Sequence, residues 1–159
     1  MRRALRIVLL AVVAVLAVTS LLTWPQAPES PVAPLLAGAH VPPEVLATIE
    51  RSCRDCHSEA TQYPWYSYVA PASLLINKDV RRGREHLNLS RWGNYSLIRR
   101  ERSLSEIANQ VRDGDMPLAM YTLLHRGAKL SKAEADAIFR WTQTERYRLI
   151  SESLVGNGR

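Results

Sequence analysis

The sequence predicts an all-α protein: a small domain of three to five helices with long loops, behind one N-terminal membrane-spanning helix. Three observations predict it. The run IVLLAVVAVLAVTSLLTW, Ile7 to Trp24, holds no charged residue. Downstream, apolar residues recur at helical spacing, and two segments carry Ser-x-x-Glu capping boxes. No segment shows the sustained alternation of a half-buried strand.

The N-terminal run comes first. Its 18 residues rise about 27 Å as a helix at roughly 1.5 Å per residue, close to the hydrocarbon thickness of a bilayer. Arg2, Arg3 and Arg6 precede it. A positive flank stays in the cytoplasm, so the chain past Trp24 is expected outside it, in a bacterium in the periplasm. The run is longer than the apolar region of a typical signal peptide, no A-x-A site follows it directly, and Trp24 suits a membrane interface. Residues 1–24 therefore read as an anchor in the cell membrane. The alternative is a cleaved export signal that leaves a soluble periplasmic protein.

Residues 25–42 read as a linker, because Pro25, Pro28, Pro31, Pro34 and Pro42 favour extended, semi-rigid chain. It is expected to hold the domain off the membrane surface. The domain is placed at 43–150 and a tail at 151–159. Pro43 suits a first helical turn, and Val45, Leu46 and Ile49 continue that helix toward Cys53. An aromatic cluster, Tyr63, Trp65, Tyr66 and Tyr68, lies between Pro64 and Pro71 in irregular chain. A second helix is expected from Ala72 to Glu85, then loop from His86 to Tyr95. Ser103 to Glu106 is read as the opening of a helix ending near Gly114, and Ser131 to Glu134 as the opening of one running toward Ile150.

Charge excludes one class of partner. After residue 39 there are 18 basic and 14 acidic residues, a net +4. That is mild, and it lacks the density and aromatic interleaving of a nucleic-acid binder.

The chemistry sits in RSCRDCHSEATQYPWYSYVAP, Arg51 to Pro71, which contains both cysteines of the chain. A disulfide between Cys53 and Cys56 would close a very short loop and leave His57 without a role. A thioredoxin-type dithiol needs a helix that starts at the first cysteine, whereas here the helix precedes it. Zinc needs four good ligands; Cys53, Cys56 and His57 offer at most three, and His40, His86 and His125 stand far apart. C-x-x-C-H as a haem c attachment uses every part. Two thiols add across the haem vinyl groups and the following imidazole meets the iron. The export segment supplies the required location outside the cytoplasm.

Candidates for the sixth iron position are Met116, Met120, His86, His125 and His40. Met116 stands first. It lies 59 residues past His57, in Gly114-Asp-Met-Pro117, where a glycine ends a helix and Pro117 prevents its resumption. Met120 is the alternative ligand. Trp65, Tyr66, Trp92 and Tyr121 suit a pocket wall, although ordinary aromatic packing explains the first three equally well. Arg84 and Arg91 fall in a basic stretch and are candidates for haem propionates; a solvated helix face is the plainer reading. Asp55 is expected to be exposed.

With these residues assembled, the chain resembles a class I cytochrome c. More specifically it resembles the bacterial family described as a haem-binding domain, found in exported or membrane-anchored c-type proteins. The matching pieces are Val41-Pro-Pro-Glu-Val45, Cys53-Arg-Asp-Cys-His-Ser58, Tyr63-Pro-Trp-Tyr-Ser67, Gly83-Arg-Glu-His-Leu-Asn88, Trp92, Asp115-Met-Pro117 and Tyr121-Thr-Leu-Leu-His125. The resemblance implies a helical domain wrapped around one covalent haem, with Cys53 and Cys56 attached, His57 proximal and Met116 distal. Family members often carry a second proline after Met-Pro; Leu118 stands there. The function expected is single-electron transfer, non-enzymatic, with a redox partner that the sequence does not name. The competing classes are a gas- or peroxide-reactive haem protein with a displaceable sixth ligand and, more remotely, a thiol-redox or metal-binding module.

Overall fold

The computed structural model describes residues 1–25 and 32–156, with side chains to Leu154. It is all-helical, with no strand among the described residues. The long helices are α1, Arg2–Leu22; α2, Pro43–Ser52; α4, Ala72–His86; α5, Leu97–Asp113; and α7, Lys132–Gly156. Single-turn or short helices fall between them: α3, Arg54–His57, and α6, Ala119–Leu124, with 3-10 turns at Trp65–Tyr68, Leu89–Asn94 and Arg126–Ala128.

α1 has no residue buried inside the protein along its apolar length, as a helix facing lipid requires. Its last turn is different. Ser20 Oγ accepts the Ala70 backbone N–H at 2.9 Å. Thr23 Oγ1 donates to Thr19 O at 2.8 Å and meets Ser73 Oγ at 2.7 Å, so the Ser73 hydroxyl donates to it. Asn77 Nδ2 donates to Thr23 O at 2.6 Å, satisfying a carbonyl that the helix end leaves open. Trp24 packs on Tyr68 with ring centroids 4.8 Å apart. The end of α1 is thus docked on the start of α4, and the expected spacer does not hold the domain away from that helix.

The linker expectation is corrected at its other end as well. Leu36 is only 2% exposed, and its N–H donates to Leu89 O at 3.0 Å. Leu35, Ala39 and Val41 pack on the same core. The domain therefore begins by Leu35, not at Pro43; Pro28 and Pro31 lie outside the described residues. Proline density marks 25–42 as linker, but burial of the apolar residues at 35–41 decides the matter.

α2 starts at Pro43 as expected and buries Val45 and Ile49. α4 matches its expected span within one residue. α5 does not begin at the Ser103 capping box. It begins at Leu97, where Ser96 Oγ accepts from the Arg99 N–H at 3.3 Å, and Ser103 lies buried mid-helix. Ser103, Leu104, Ala108 and Val111 are its buried residues. α5 stops at Gly114, whose φ of 78° is the left-handed conformation that favours glycine. The second capping box holds: Glu134 Oε2 accepts from Ser131 N–H and Oγ–H, both at 2.8 Å, and Ser131 Oγ accepts from Glu134 N–H at 3.3 Å. α7 continues past Ile150 to Gly156, so most of the expected tail is helix.

The core is the seam of α2, α5 and α7 with the Leu89–Asn94 turn: Leu36, Val45, Ile49, Leu89, Trp92, Leu104, Ile138 and Trp141 are its best-buried members. One carboxylate lies inside it. Glu145, 1% exposed, accepts from Arg148 Nη2 and Nε at 2.5 and 2.8 Å and from the His40 N–H at 3.3 Å, so α7 also clamps 35–41. Removing one partner of a buried pair leaves the other uncompensated. Glu145→Ala is expected to cost about 3 kcal/mol of stability, read as a shift in the denaturation midpoint. Tyr147→Ala, at a position 74% exposed, is expected to stay within roughly 0.5 kcal/mol of the parent.

Candidate functional site

The two thiols and the imidazole occupy one helical turn. α2 ends as Cys53 N–H donates to Ile49 O at 2.8 Å, and α3 follows at once, with His57 N–H donating to Cys53 O at 3.0 Å. Cys53 and Cys56 are three residues apart on that turn, hence on one face, and neither is in a disulfide.

α4 fixes this turn from behind. A Cβ placed on Gly83 would lie 2.5 Å from Cys56 O, 3.0 Å from its carbonyl carbon and 3.2 Å from its Cβ. Only glycine lets the two backbones approach so closely. One turn further, α4 ends and Leu87 O comes to 3.1 Å from His57 Nδ1. A carbonyl only accepts, so Nδ1 carries the ring hydrogen and the lone pair lies on Nε2. Burial lowers the His57 pKa and outweighs the hydrogen bonds with Leu87 and Gly83, which raise it, so the ring stays neutral. A neutral imidazole, oriented through Nδ1 and free at Nε2, is the form that ligates a metal.

The thiols are tuned away from free-thiol chemistry. Burial first, then the charge of its partner Cys56, pushes Cys53 up to about 12. Burial, then Asp55 and Asp79, pushes Cys56 up to about 11. A redox or nucleophilic cysteine needs the opposite shift. Because the folded values exceed the ordinary one, protonated thiols favour the fold below pH 9.0, and that contribution is lost as pH rises toward 11 and 12. Among the described residues, no three His, Cys, Asp or Glu side chains are grouped to hold a metal ion by themselves. The donor set fits haem: two protonated, adjacent thiols for attachment and one oriented imidazole for the iron.

The segment leaving the turn is tied down by residues that the sequence assigned elsewhere. Arg84 donates from Nε to Ser58 O and from Nη2 to Thr61 Oγ1, both at 2.8 Å. Arg91 Nε donates to Glu59 Oε1 at 2.6 Å. The two arginines considered for propionates thus have protein partners that shape the chain after His57. Trp92, 1% exposed, belongs to the apolar core, whereas Trp65 is 78% exposed.

Asp55, expected to be merely exposed, organises the other side. Its Oδ1 accepts the Gln62 N–H at 3.1 Å and its Oδ2 accepts the Tyr121 hydroxyl at 2.9 Å. Burial and the Asp55 charge raise the Tyr121 pKa well above its ordinary value, so the phenol stays protonated. Tyr121 stacks on His125 at 4.3 Å between centroids and accepts through its carbonyl from His125 Nδ1 at 3.1 Å. Nε2 of His125 is then the acceptor, and the Tyr66 hydroxyl donates to it at 3.0 Å. The Trp65–Tyr68 turn, α6 and α3 are joined by this chain. Only the position of Asp55 between the cysteines hinted at its part.

The hydrogen bond to Asp55 brings Tyr121, rather than Met116, to the Cys53–His57 turn. Met116 is half-buried in the turn after Gly114, with its N–H donating to Gln110 O at 3.2 Å. Met120 is 63% exposed on α6, beside exposed Leu123 and Leu124. His86 is exposed, and both nitrogens of His125 are engaged.

Comparison with known proteins agrees with this chemistry. The family described as a haem-binding domain matches residues 12–144. A cytochrome c peroxidase of Escherichia coli K12, Ccp, is 28% identical over 100 residues, which is 61% of this chain and 22% of that protein. The chain therefore spans less than a quarter of that relative's length. No solved structure matches.

Helix propensity alone would make Gly83→Ala stabilising by about 1 kcal/mol. The overlap with Cys56 is expected to reverse the sign, with a net loss of roughly 2 kcal/mol in denaturant unfolding. Gly127→Ala, with nothing within 4 Å of the added carbon, is expected to remain within roughly 0.5 kcal/mol.

Proposed function

Since this chain belongs to the haem-binding domain family, we propose that it carries one haem c on Cys53 and Cys56 and passes single electrons on the periplasmic side of the cell membrane. The observation that carries the proposal is the His57 hydrogen bond to Leu87 O, which orients the imidazole and leaves Nε2 as a ligand next to two thiols on one turn. When bound, haem supplies one-electron chemistry between ferric and ferrous iron, at a potential set by axial ligands and burial.

The residues of the chain do the holding. Cys53 and Cys56 anchor the porphyrin edge, and Leu87 O keeps His57 in one tautomer and one plane. Gly83 lets α4 support the turn from behind, and Arg84 secures the chain beyond it. Met116 is the distal ligand in this reading, with Met120 as the alternative. Exposed Leu118, Met120, Leu123 and Leu124 supply apolar surface that a porphyrin would take out of water. No acid–base step is assigned, and the protein acts as a carrier rather than an enzyme. α1 is the membrane anchor; its polar contacts with Ala70, Ser73 and Asn77 favour retention over cleavage.

A second reading is favoured by one observation, the similarity to a cytochrome c peroxidase. In it, the sixth position is weakly held and the protein reacts with peroxide or a gas. An optical redox titration of the exported protein tests both. A one-electron transition is expected, with a ferric Met–iron charge-transfer band that Met116→Ala abolishes and Met120→Ala retains. The reverse pattern would move the ligand to Met120. Rapid carbon monoxide binding by the unaltered ferrous protein would favour the second reading.

A further inference from the structure

The contacts between α1 and α4 have a consequence for where the domain sits. They rise in step. Ser20 meets Ala70, and Thr23, three residues further out, meets Ser73 and Asn77. α4 therefore leaves the bilayer in the same direction as α1. Ala70 lies at the level of Ser20, which is inside the apolar run and four residues short of Trp24. Four helical residues span about 6 Å. The start of α4 is thus placed at, or just within, the surface of the membrane that α1 crosses.

The side chains at that level fit such a place. Val69, Leu74 and Leu75 are 50%, 48% and 47% exposed, although each is apolar. The polar groups between them are satisfied by α1 itself: the Ala70 N–H by Ser20 and the buried Ser73 hydroxyl by Thr23. Basic groups follow further out. Lys78 is one turn beyond Leu74, Arg82 one turn beyond Lys78, and both are exposed. Apolar residues at the depth of the anchor's end, with cations a turn or two outward, match an acyl boundary topped by anionic headgroups.

We propose that the 69–75 surface is a lipid-docking face: Val69, Leu74 and Leu75 seat in the bilayer interface, and Lys78 and Arg82 meet headgroup phosphates. The inference rests on the reading of α1 as a membrane span. It deepens that reading, because the last turn of α1 locks the domain in one orientation instead of tethering it loosely. The Trp65–Tyr68 turn, which holds Tyr66 on His125, is then fixed close to the membrane surface. A redox partner would be met at the bilayer plane.

The test uses the full-length, haem-loaded protein in vesicles of phosphatidylcholine and phosphatidylglycerol. Spin labels are placed at Leu74→Cys, at Val12→Cys within α1 and at Arg140→Cys on the exposed face of α7, with signal from the chain lacking an added cysteine subtracted. Accessibility to oxygen and to a water-soluble nickel complex is then read at each label. The label at 74 is expected to be several-fold richer in oxygen contact, and poorer in nickel contact, than the label at 140. Adding Ser20→Ala and Thr23→Val is expected to abolish that difference. A label at 74 as open to nickel as the one at 140, with the label at 12 still in lipid, would overturn the docking face and leave the span intact. A label at 12 open to nickel would overturn both.

Discussion

The structure depends on one close approach, that of α4 to the Cys53–His57 turn at Gly83. The missing side chain sets the distance between two backbones, and three results follow from it. Leu87 O reaches His57 Nδ1. Arg84 reaches Ser58 O and Thr61. The turn itself is held rigid between α2, which runs into it, and α4, which backs it. A methyl at 83 would meet Cys56 O at 2.5 Å and displace all of these together. The imidazole owes its tautomer to a glycine 26 residues away.

The opposite side of the turn is polar rather than close-packed. Asp55, Tyr121, His125 and Tyr66 form a chain of hydrogen bonds with every direction fixed by donor and acceptor chemistry. It links the aromatic turn at Trp65–Tyr68 to the Cys53–His57 turn, and that same aromatic turn packs Tyr68 on Trp24 at the end of α1. The two cysteines, the aromatic turn and α1 are consequently parts of one connected structure. Ion pairs at the surface, such as Arg81 with Glu85, contribute little to it.

Much of this was legible in the sequence, for identifiable reasons. The apolar run of α1, Pro43 at the start of α2 and the Ser131–Glu134 box are local signals with local causes, and the structure contains all three. Ser103–Glu106 has the same local signature but lies inside α5, which is capped earlier by Ser96. Residues 25–42 carry the proline density of a linker, yet Leu36 within them is a core residue. C-x-x-C-H points to haem, and the family match supports haem binding. What positions the motif carries no such signal: the Gly83 approach, the Leu87 carbonyl and the Asp55–Tyr121 bond are long-range pairings between residues with no local peculiarity. The aromatic stretch was legible as a group, but only packing separates buried Trp92 from exposed Trp65.

The central claim is that Cys53 and Cys56 are an attachment site with His57 as its ligand. Intact-mass spectrometry of the protein, exported in a host that matures c-type cytochromes and then denatured, tests it most directly. The account predicts a chain heavier by one haem, reduced to the bare polypeptide mass when both Cys53→Ala and Cys56→Ala are introduced. A bare mass for the parent protein, with its haem extracted by acidified organic solvent, would contradict it.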